Sequence, residues 1–435
     1  MAKASEHYNE RRRILGEELK GNKRQIDALT VIRVLTFLAF GVCFALFLSL
    51  EVNLFALASL LSLVVFGVAV KRSIRLSGHR ALLRSQIFVI ESELKTLNLD
   101  TTSWQNGREF RNPSHAFSHD LDLFGDRSLF QLINRCGLAD GRHSLACEMQ
   151  SPCVKPDQIG KRQEAIEELV RKPIWRERLL AKTLMIKEDS LDTNSLIAWA
   201  EKEIDRPIPS WVKILYVIVP LIQGTNVYLY TEGLISGGLM TFILLLPVMV
   251  AVARVKRSNA SFGELDQSHK QLEALSAVLF EIEQEEFGKE QLSVLANQTR
   301  QGALAFRRLE SIMSAIDSRN NFVIAIAGNM FFVWDLWCNL RLESWHEEYS
   351  KSVRQWIKVV AKFEALNSFA SFNFNFTDNG CLPTFAANGE VRIDSLKHPL
   401  LSSDQCIAND FDLSNRRFAL ITGANMAGKS TFLRT

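Results

Sequence analysis

The chain has 435 residues, enough for two to four domains, and 23% of them are charged, with a formal net charge of only +3. That near balance gives no global basic excess of the kind a general nucleic-acid binder shows, and leaves only local patches for such contacts. Seven cysteines (43, 136, 147, 153, 338, 381, 406) contain no C-x-x-C pair, so they read as reduced, buried thiols and not as a disulfide framework or a zinc site.

Residues 1–33 are charged and helix-prone, with Arg11-Arg12-Arg13 and Glu17-Glu18, and carry no secretory signal pattern. Residues 34–50 then run without a charge and are rich in Leu, Phe and Val; after Glu51-Val52-Asn53, residues 54–70 form a second such run, ended by Lys71-Arg72. Each is near the length that crosses about 30 Å of hydrocarbon. A soluble buried hairpin is the alternative, but soluble helices keep a polar face and these have almost none. Basic residues flank the pair (Arg24 and Arg33 before, Arg72, Arg75 and Arg80 after), while the loop holds only Glu51. The positive-inside rule therefore places both ends in the cytoplasm.

Residues 73–100 are charged and helical in pattern. Apolar spacing of three and four over 120–169 predicts short amphipathic helices joined by glycine turns. His115 and His119 are four apart, but Pro113 favours irregular structure there, so they read as solvated or core histidines and not as metal ligands. Residues 214–230 and 233–253 repeat the first pattern, with Glu232 in the loop and Arg206, Lys213, Arg254, Lys256 and Arg257 outside. This predicts a second hairpin of the same orientation. Pro220, Gln223, Gly224 and Asn226 make its first span less pure, which membrane helices tolerate.

Residues 264–317 show helical periodicity and predict long cytoplasmic helices, packed as a coiled pair. Phe262-Gly263-Glu264 superficially resembles a mismatch-reading Phe-x-Glu, but it sits directly after an apolar span with no DNA-reading domain around it. Residues 320–338 are rich in aromatics and interrupted by Asn329 and Asp335, which favours a core helix over a fifth span. Another amphipathic helix is expected over 343–370, and the change of composition over 371–389 marks a domain boundary.

Beyond it, 391–393 and 418–421 read as strands. The second leads into Gly423-Ala-Asn-Met-Ala-Gly428-Lys429-Ser430-Thr431, the phosphate-binding loop pattern with a helix expected after it. Glycines let the backbone turn so that several N–H groups converge on phosphate oxygens, and the helix after the loop points its positive end at the same anion. Lys429 would reach the β- and γ-phosphates of ATP, and the Ser430 hydroxyl would ligate Mg²⁺.

The C-terminal segment resembles the start of the ATPase domain of the MutS family of mismatch-repair proteins. The likeness rests on Leu396-Lys-His398-Pro399-Leu, on Ile407-Ala-Asn409-Asp410 and on Ile421-Thr-Gly423-Ala424-Asn425-Met426-Ala427-Gly428-Lys429-Ser430-Thr431. Residues 120–169 resemble the beginning of that family's helical core, and 264–370 are similar to its lever helices. The resemblance implies a helical core feeding an ABC-type P-loop ATPase, with ATP phosphates and Mg²⁺ held by Gly423 to Thr431. Residues 406–409, including Ile407 and Asn409, would lie against the adenine. Cys406 stands where an aromatic often stacks, and Ala424 replaces a common proline.

The departures are as informative. Both hairpins are foreign to the repair proteins, and only about 33 residues precede the first span. The chain stops one helical turn past the loop, so a truncated reading frame or an incomplete sequence is expected. A site of this type hydrolyses ATP when two ATPase domains meet, so a homodimer is implied, and the Walker B and signature elements it needs are not among these residues.

The expected fold is mainly α: a cytoplasmic N-terminal helix (1–33), a transmembrane hairpin (34–70), the first part of a MutS-like helical core (71–210), a second transmembrane hairpin (211–253), lever and core helices (254–370) and the N-terminal fragment of an α/β P-loop ATPase domain (371–435). The expected function is that of an ATP-binding, multi-pass membrane-anchored MutS-like protein with about four spans. The resemblance implies DNA binding and a DNA-dependent ATPase, while the mild net charge and the lack of a reading domain among these residues argue against mismatch specificity. The alternative is a non-enzymatic, nucleotide-responsive membrane scaffold. A transporter is disfavoured, since the spans carry no charged residues to line a path.

Overall fold

A computed structural model describes residues 2–50, 52–186, 193–202, 214–262, 269–318, 322–376, 380–385, 390–402, 406–414, 418–424 and 428–435. The fold is mainly helical. In chain order the helices are α1 (Ala2–Leu50), α2 (Asn53–Leu97), α3 (Leu129–Ile133), α4 (Ala139–Gln150), α5 (Pro156–Val170), α6 (Pro173–Leu184), α7 (Thr193–Glu201), α8 (Leu215–Thr231), α9 (Gly237–Phe262), α10 (His269–Glu283), α11 (Glu290–Asn297), α12 (Gly302–Asp317), α13 (Phe322–Phe332) and α14 (Trp334–Phe376). Two short strands come next, β1 (Arg392–Leu396) and β2 (Asn409–Asp412), and then α15 (Lys429–Arg434). Local chemistry sets several boundaries. Pro156 and Pro173 open α5 and α6, where a missing N–H costs nothing. Ser128 caps α3 by accepting from the Gln131 amide at 3.2 Å.

The described residues form two compact units. The first holds residues 1–135, 169–181 and 367–435. In it α1 is one unbroken helix of 49 residues, so the charged leader and the first apolar run are a single rod. The chain turns at Val52, and α2 runs back along it. Phe37 meets Phe66, Arg33 donates to the Ser73 hydroxyl at 3.2 Å, and His79 pairs with Glu18 at 3.0 Å.

The rod is keyed into the unit at its N-terminal end. Ala4, Tyr8 and Leu15 pack with Leu83 and Ile90 of α2. Arg11 makes a two-pronged pair with Glu177 at 3.0 and 3.1 Å, and Gln86 donates to the same carboxylate. Deeper, Arg135 grips Glu93 through Nε (2.5 Å) and Nη2 (3.0 Å) beneath the Trp104 ring. Asn375 donates to Glu93 and accepts from the Tyr8 hydroxyl. Glu93 and Glu177 thus each meet a guanidinium, the condition for tolerating a charge away from water.

Cys136 to Glu168 and Lys182 to Leu366 form the second unit. Its core is apolar. Leu275 and Leu279 of α10 are buried with Phe306 and Leu309 of α12, and Trp356 of α14 lies edge-on to Phe306. Gly302 opens α12 where a Cβ would press on Leu279 and Trp356. Of the long helices expected over 264–317, residues 264–268 lie outside the described residues; the rest form α10, α11 and α12, and α10 packs on α12. Carboxylates from distant helices cap helix starts here. Glu364 accepts from the Gly137 amide at 2.7 Å ahead of α4, and Glu283 from the Ala303 amide at 3.0 Å in α12. Burial pushes Glu364 up to about 7, against the backbone N–H groups of Gly137 and Leu138 and the Thr183 hydroxyl, which hold it down.

The two apolar pairs turn polar side chains inward and apolar ones outward. On α2, Ser59 is 5% exposed while Leu57 is 66% exposed. In the pair α8–α9, Gln223 (1%) and Asn226 (3%) are buried, whereas Leu221 (65%) and Phe242 (60%) face outward. Gln223 donates to the Ile243 carbonyl and Asn226 to the Met240 carbonyl, both at 3.1 Å, so the two polar residues that spoil the apolar run are the rungs joining α8 to α9. By length and composition, α1 and α2 qualify as membrane-crossing helices. The second pair is shorter, 17 residues in α8 and an apolar stretch Gly237–Met249 in α9, so that measure supports two spans and not the expected four.

Of the run 320–338, residues 320–321 lie outside the described residues, and 322–338 do not form one continuous helix. α13 ends just before Val333, whose φ of +49° breaks the helical path, and α14 starts at once. α13 packs against both α8 and α9.

Candidate functional site

β1 and β2 pair antiparallel, with Arg392 opposite Asp412, Ile393 opposite Phe411 and Leu396 opposite Asn409. The register slips between Ile393 and Leu396, where Ser395 takes φ +56° and its amide donates to Asp410 at 2.7 Å. The His398-Pro399 turn beyond β1 is tied to the segment before β2, because the His398 amide donates to the Cys406 thiol sulfur at 3.3 Å. Nδ1 of His398 accepts from the Leu400 amide, which leaves the ring proton on Nε2. Partial burial, with the Arg434 guanidinium nearby, holds this imidazole below its ordinary range. Asn409 begins β2 and turns its side chain back to donate to the Ile407 carbonyl at 3.1 Å, leaving the Ile407 side chain exposed.

The strand expected over 418–421 is not formed: Phe418 and Leu420 are exposed and outside any ladder. A strand exists only by pairing, and among the described residues the sole ladder is β1–β2. The loop itself is partly described. Gly423 and Ala424 are exposed, and Asn425, Met426 and Ala427 lie outside the described residues. Gly428 takes φ +82°, a conformation that suits glycine, and α15 starts at Lys429. The Lys429 ammonium folds back to donate to the Gly423 carbonyl at 2.6 Å, closing the loop across its mouth. Ser430 and Thr431 are exposed on the first turn of α15.

Two contacts position that turn, and neither was evident in the motif. Phe432 meets Phe411 edge-on at 5.9 Å, which joins α15 to β2 and so brings the loop helix to the strand carrying Asn409. Arg434 donates to the Asp120 carbonyl at 3.1 Å and pairs with Asp122 at 2.7 Å. Phosphate and Mg²⁺ suit this donor set: an ammonium already aimed across the loop, a left-handed glycine and an exposed hydroxyl beside it. Among the described residues no cluster of His, Cys, Asp or Glu could hold a metal by itself. His115 instead accepts backbone N–H groups from Phe117 and Ser118.

The MutS domain III family model matches residues 94–370. The chain belongs to the MutS family. The matched stretch runs from the end of α2 through most of α14. Among relatives, a DNA mismatch repair protein MutS from Ehrlichia ruminantium is 34% identical over 143 residues, covering 32% of this chain and 16% of that protein. The MutS protein homolog him-14 of Caenorhabditis elegans is 22% identical over 410 residues, 78% of this chain and 47% of that protein. A MutS of Treponema pallidum is 42% identical over 85 residues, 17% of this chain and 9% of that protein. The chain spans less than half the length of these relatives. No solved structure matches it.

Proposed function

We propose that this chain is the membrane-anchored, nucleotide-binding part of a MutS-type ATPase. The observation that carries the reading is the Lys429 ammonium held across the loop to the Gly423 carbonyl, at the start of a helix anchored to β2. An incoming polyphosphate would exchange that carbonyl for its own oxygens, with Gly423 to Thr431 (Asn425, Met426 and Ala427 among them) cradling the phosphates, Ile407 and Asn409 beside the base, and Ser430 on Mg²⁺. Bound there, ATP·Mg²⁺ supplies the phosphoryl group whose developing charge Lys429 offsets. Hydrolysis would need a second ATPase domain in a homodimer.

The hairpins act as the anchor. Polar side chains turned inward and apolar ones outward are the order that hydrocarbon selects, and the basic flanks place the soluble parts in the cytoplasm. The pair α8–α9, which length and composition do not count as spans, is included in this anchor for its outward apolar and inward polar side chains. The names of the relatives, DNA mismatch repair proteins, point to DNA as a ligand.

Titration of the chain in vesicles with a fluorescent ATP analogue and Mg²⁺ tests the site. Saturable binding that Lys429→Ala weakens by at least about tenfold supports it, since one charge-assisted contact is worth about 1.5–3 kcal/mol. Equal binding by the variant refutes it. For DNA, a slope of log K against log salt near zero would remove that ligand and leave the scaffold reading.

A further inference from the structure

We infer that α13 lies in the same hydrocarbon layer as the second hairpin, so that α8, α9 and α13 form a three-helix membrane element. This inference rests on the membrane reading of the α8–α9 pair.

The first observation is composition and length. α13 has 11 residues, Phe-Val-Ile-Ala-Ile-Ala-Gly-Asn-Met-Phe-Phe, without a charge. At 1.5 Å per residue it extends about 16 Å, half the hydrocarbon thickness. Such a helix suits a shallow insertion with both ends near the headgroups. The sequence supplies polar residues at both: Arg319-Asn320-Asn321 before it and Asp335 after it.

The second is the order of its side chains. Asn329 is 5% exposed, while Phe332 is 53% exposed. Asn329 spends its donor on the Ala325 carbonyl at 3.0 Å and its acceptor on the Asp335 amide at 3.0 Å. The polar side chain is satisfied inside and the aromatic one faces out, the same inversion that Gln223 and Leu221 show on α8. A helix of the water-soluble core would place them the other way round.

The third is the group of residues just beyond the break at Val333. Trp334 and Trp337 stack at 5.0 Å on the first turn of α14, and the Arg341 guanidinium sits 4.5 Å from the centre of the Trp337 ring. Trp334 donates its indole N–H to the Ala315 carbonyl. Indoles with one polar edge, with a guanidinium a turn later, are the residue types that settle at the boundary between acyl chains and headgroups. Finally, α13 packs on both α8 and α9 and on neither α10 nor α12 to a comparable extent, so its helical partners are the apolar pair.

The occupant of the outward face, Phe332 included, is therefore lipid hydrocarbon. The membrane contact of the second unit becomes a hairpin braced by a third, shallow helix that links α12 to α14. This places the start of the long α14 at the membrane surface, although no complete span precedes it directly.

The test uses the full chain, unaltered, in phosphatidylcholine–phosphatidylglycerol vesicles containing a phospholipid with a photoactivatable diazirine in the acyl chain close to the headgroup. Labelled peptides are mapped by mass spectrometry. Labelling of residues 322–332 at about tenfold the level of α12, together with labelling of α8 and α9, is the expected result for a helix in contact with acyl chains. Labelled α8 and α9 with α13 at the α12 level overturns the inference and leaves the hairpin reading standing. Absence of label from α8, α9 and α13 alike overturns both.

Discussion

The hairpins and the helical core solve burial in opposite ways. In the second unit the interior is Leu275, Leu279, Phe306 and Leu309, an apolar set. In the α8–α9 pair the interior holds Gln223 and Asn226, and Leu221 and Phe242 look outward. Both arrangements leave their backbone bonded. On the proposed membrane reading, they differ in which solvent the outer face meets. Water rewards the removal of apolar surface; hydrocarbon gives no such reward, and helices there associate through packing and hydrogen bonds. The first unit adds a third case, a buried network in which Glu93 pairs with Arg135 and Glu177 with Arg11.

The largest effect is expected in that network. Glu93→Ala leaves the Arg135 guanidinium buried without its carboxylate, a loss of about 3–5 kcal/mol. It reads out as a lowered urea midpoint of the first unit. A loss below about 1 kcal/mol, as for an exposed pair, would show that water reaches Arg135.

Next comes a pair of substitutions at outward apolar residues. Leu61→Arg, an outward residue (65% exposed) near the middle of the apolar run of α2, is expected to cost about 2.5–3.5 kcal/mol of insertion, seen as protein lost from the carbonate-resistant membrane fraction. Val294→Arg, at an exposed site on α11, is expected to stay within about 0.5 kcal/mol. Equal tolerance at both sites would erase the distinction between the two outer faces.

A smaller effect comes from Glu364. Its pKa in the folded chain, about 7, lies above the ordinary 4.5, so the folded state holds a proton that the unfolded state has released. Stability is therefore greatest below pH 4.5 for this group and falls as pH rises toward 7, by at most about 1.4 kcal/mol per pH unit. Denaturation of the second unit at several pH values checks the slope, and Glu364→Gln should flatten it. The smallest effect is assigned to Gln223→Leu. Removing one rung to the Ile243 carbonyl should lower hairpin stability by about 0.6 kcal/mol, measured by unfolding in bicelles.

The apolar runs were legible because hydropathy needs no partner to be read. The phosphate-loop pattern could be read as a motif because Gly423, Gly428, Lys429 and Ser430 lie close together in the chain. Whatever depended on distant pairing was not. Glu93 and Arg135 are 42 positions apart, and Glu364 caps a helix start 227 positions earlier. Nothing in the spelling of α13 names α8 and α9 as its neighbours. Composition suggested one core helix because the break at Val333, which separates α13 from α14, leaves no mark in the residue types. The apolar run over 418–421 was read as a strand from its residue types, but β structure needs a second edge and the described residues bring none to it.

The unbroken α1 has a mechanical consequence. Its 49 residues extend about 74 Å, with no proline and no loop between the grip of Tyr8 and Arg11 at one end and the apolar tip at the other. A joint would let the tip ignore the body; a rod cannot. A rotation of about 10° about Arg11 would carry the tip, about 59 Å away, by about 10 Å, and α2 beside it. The Arg11–Glu177 pair is thus one of the contacts that fix the direction of the whole rod.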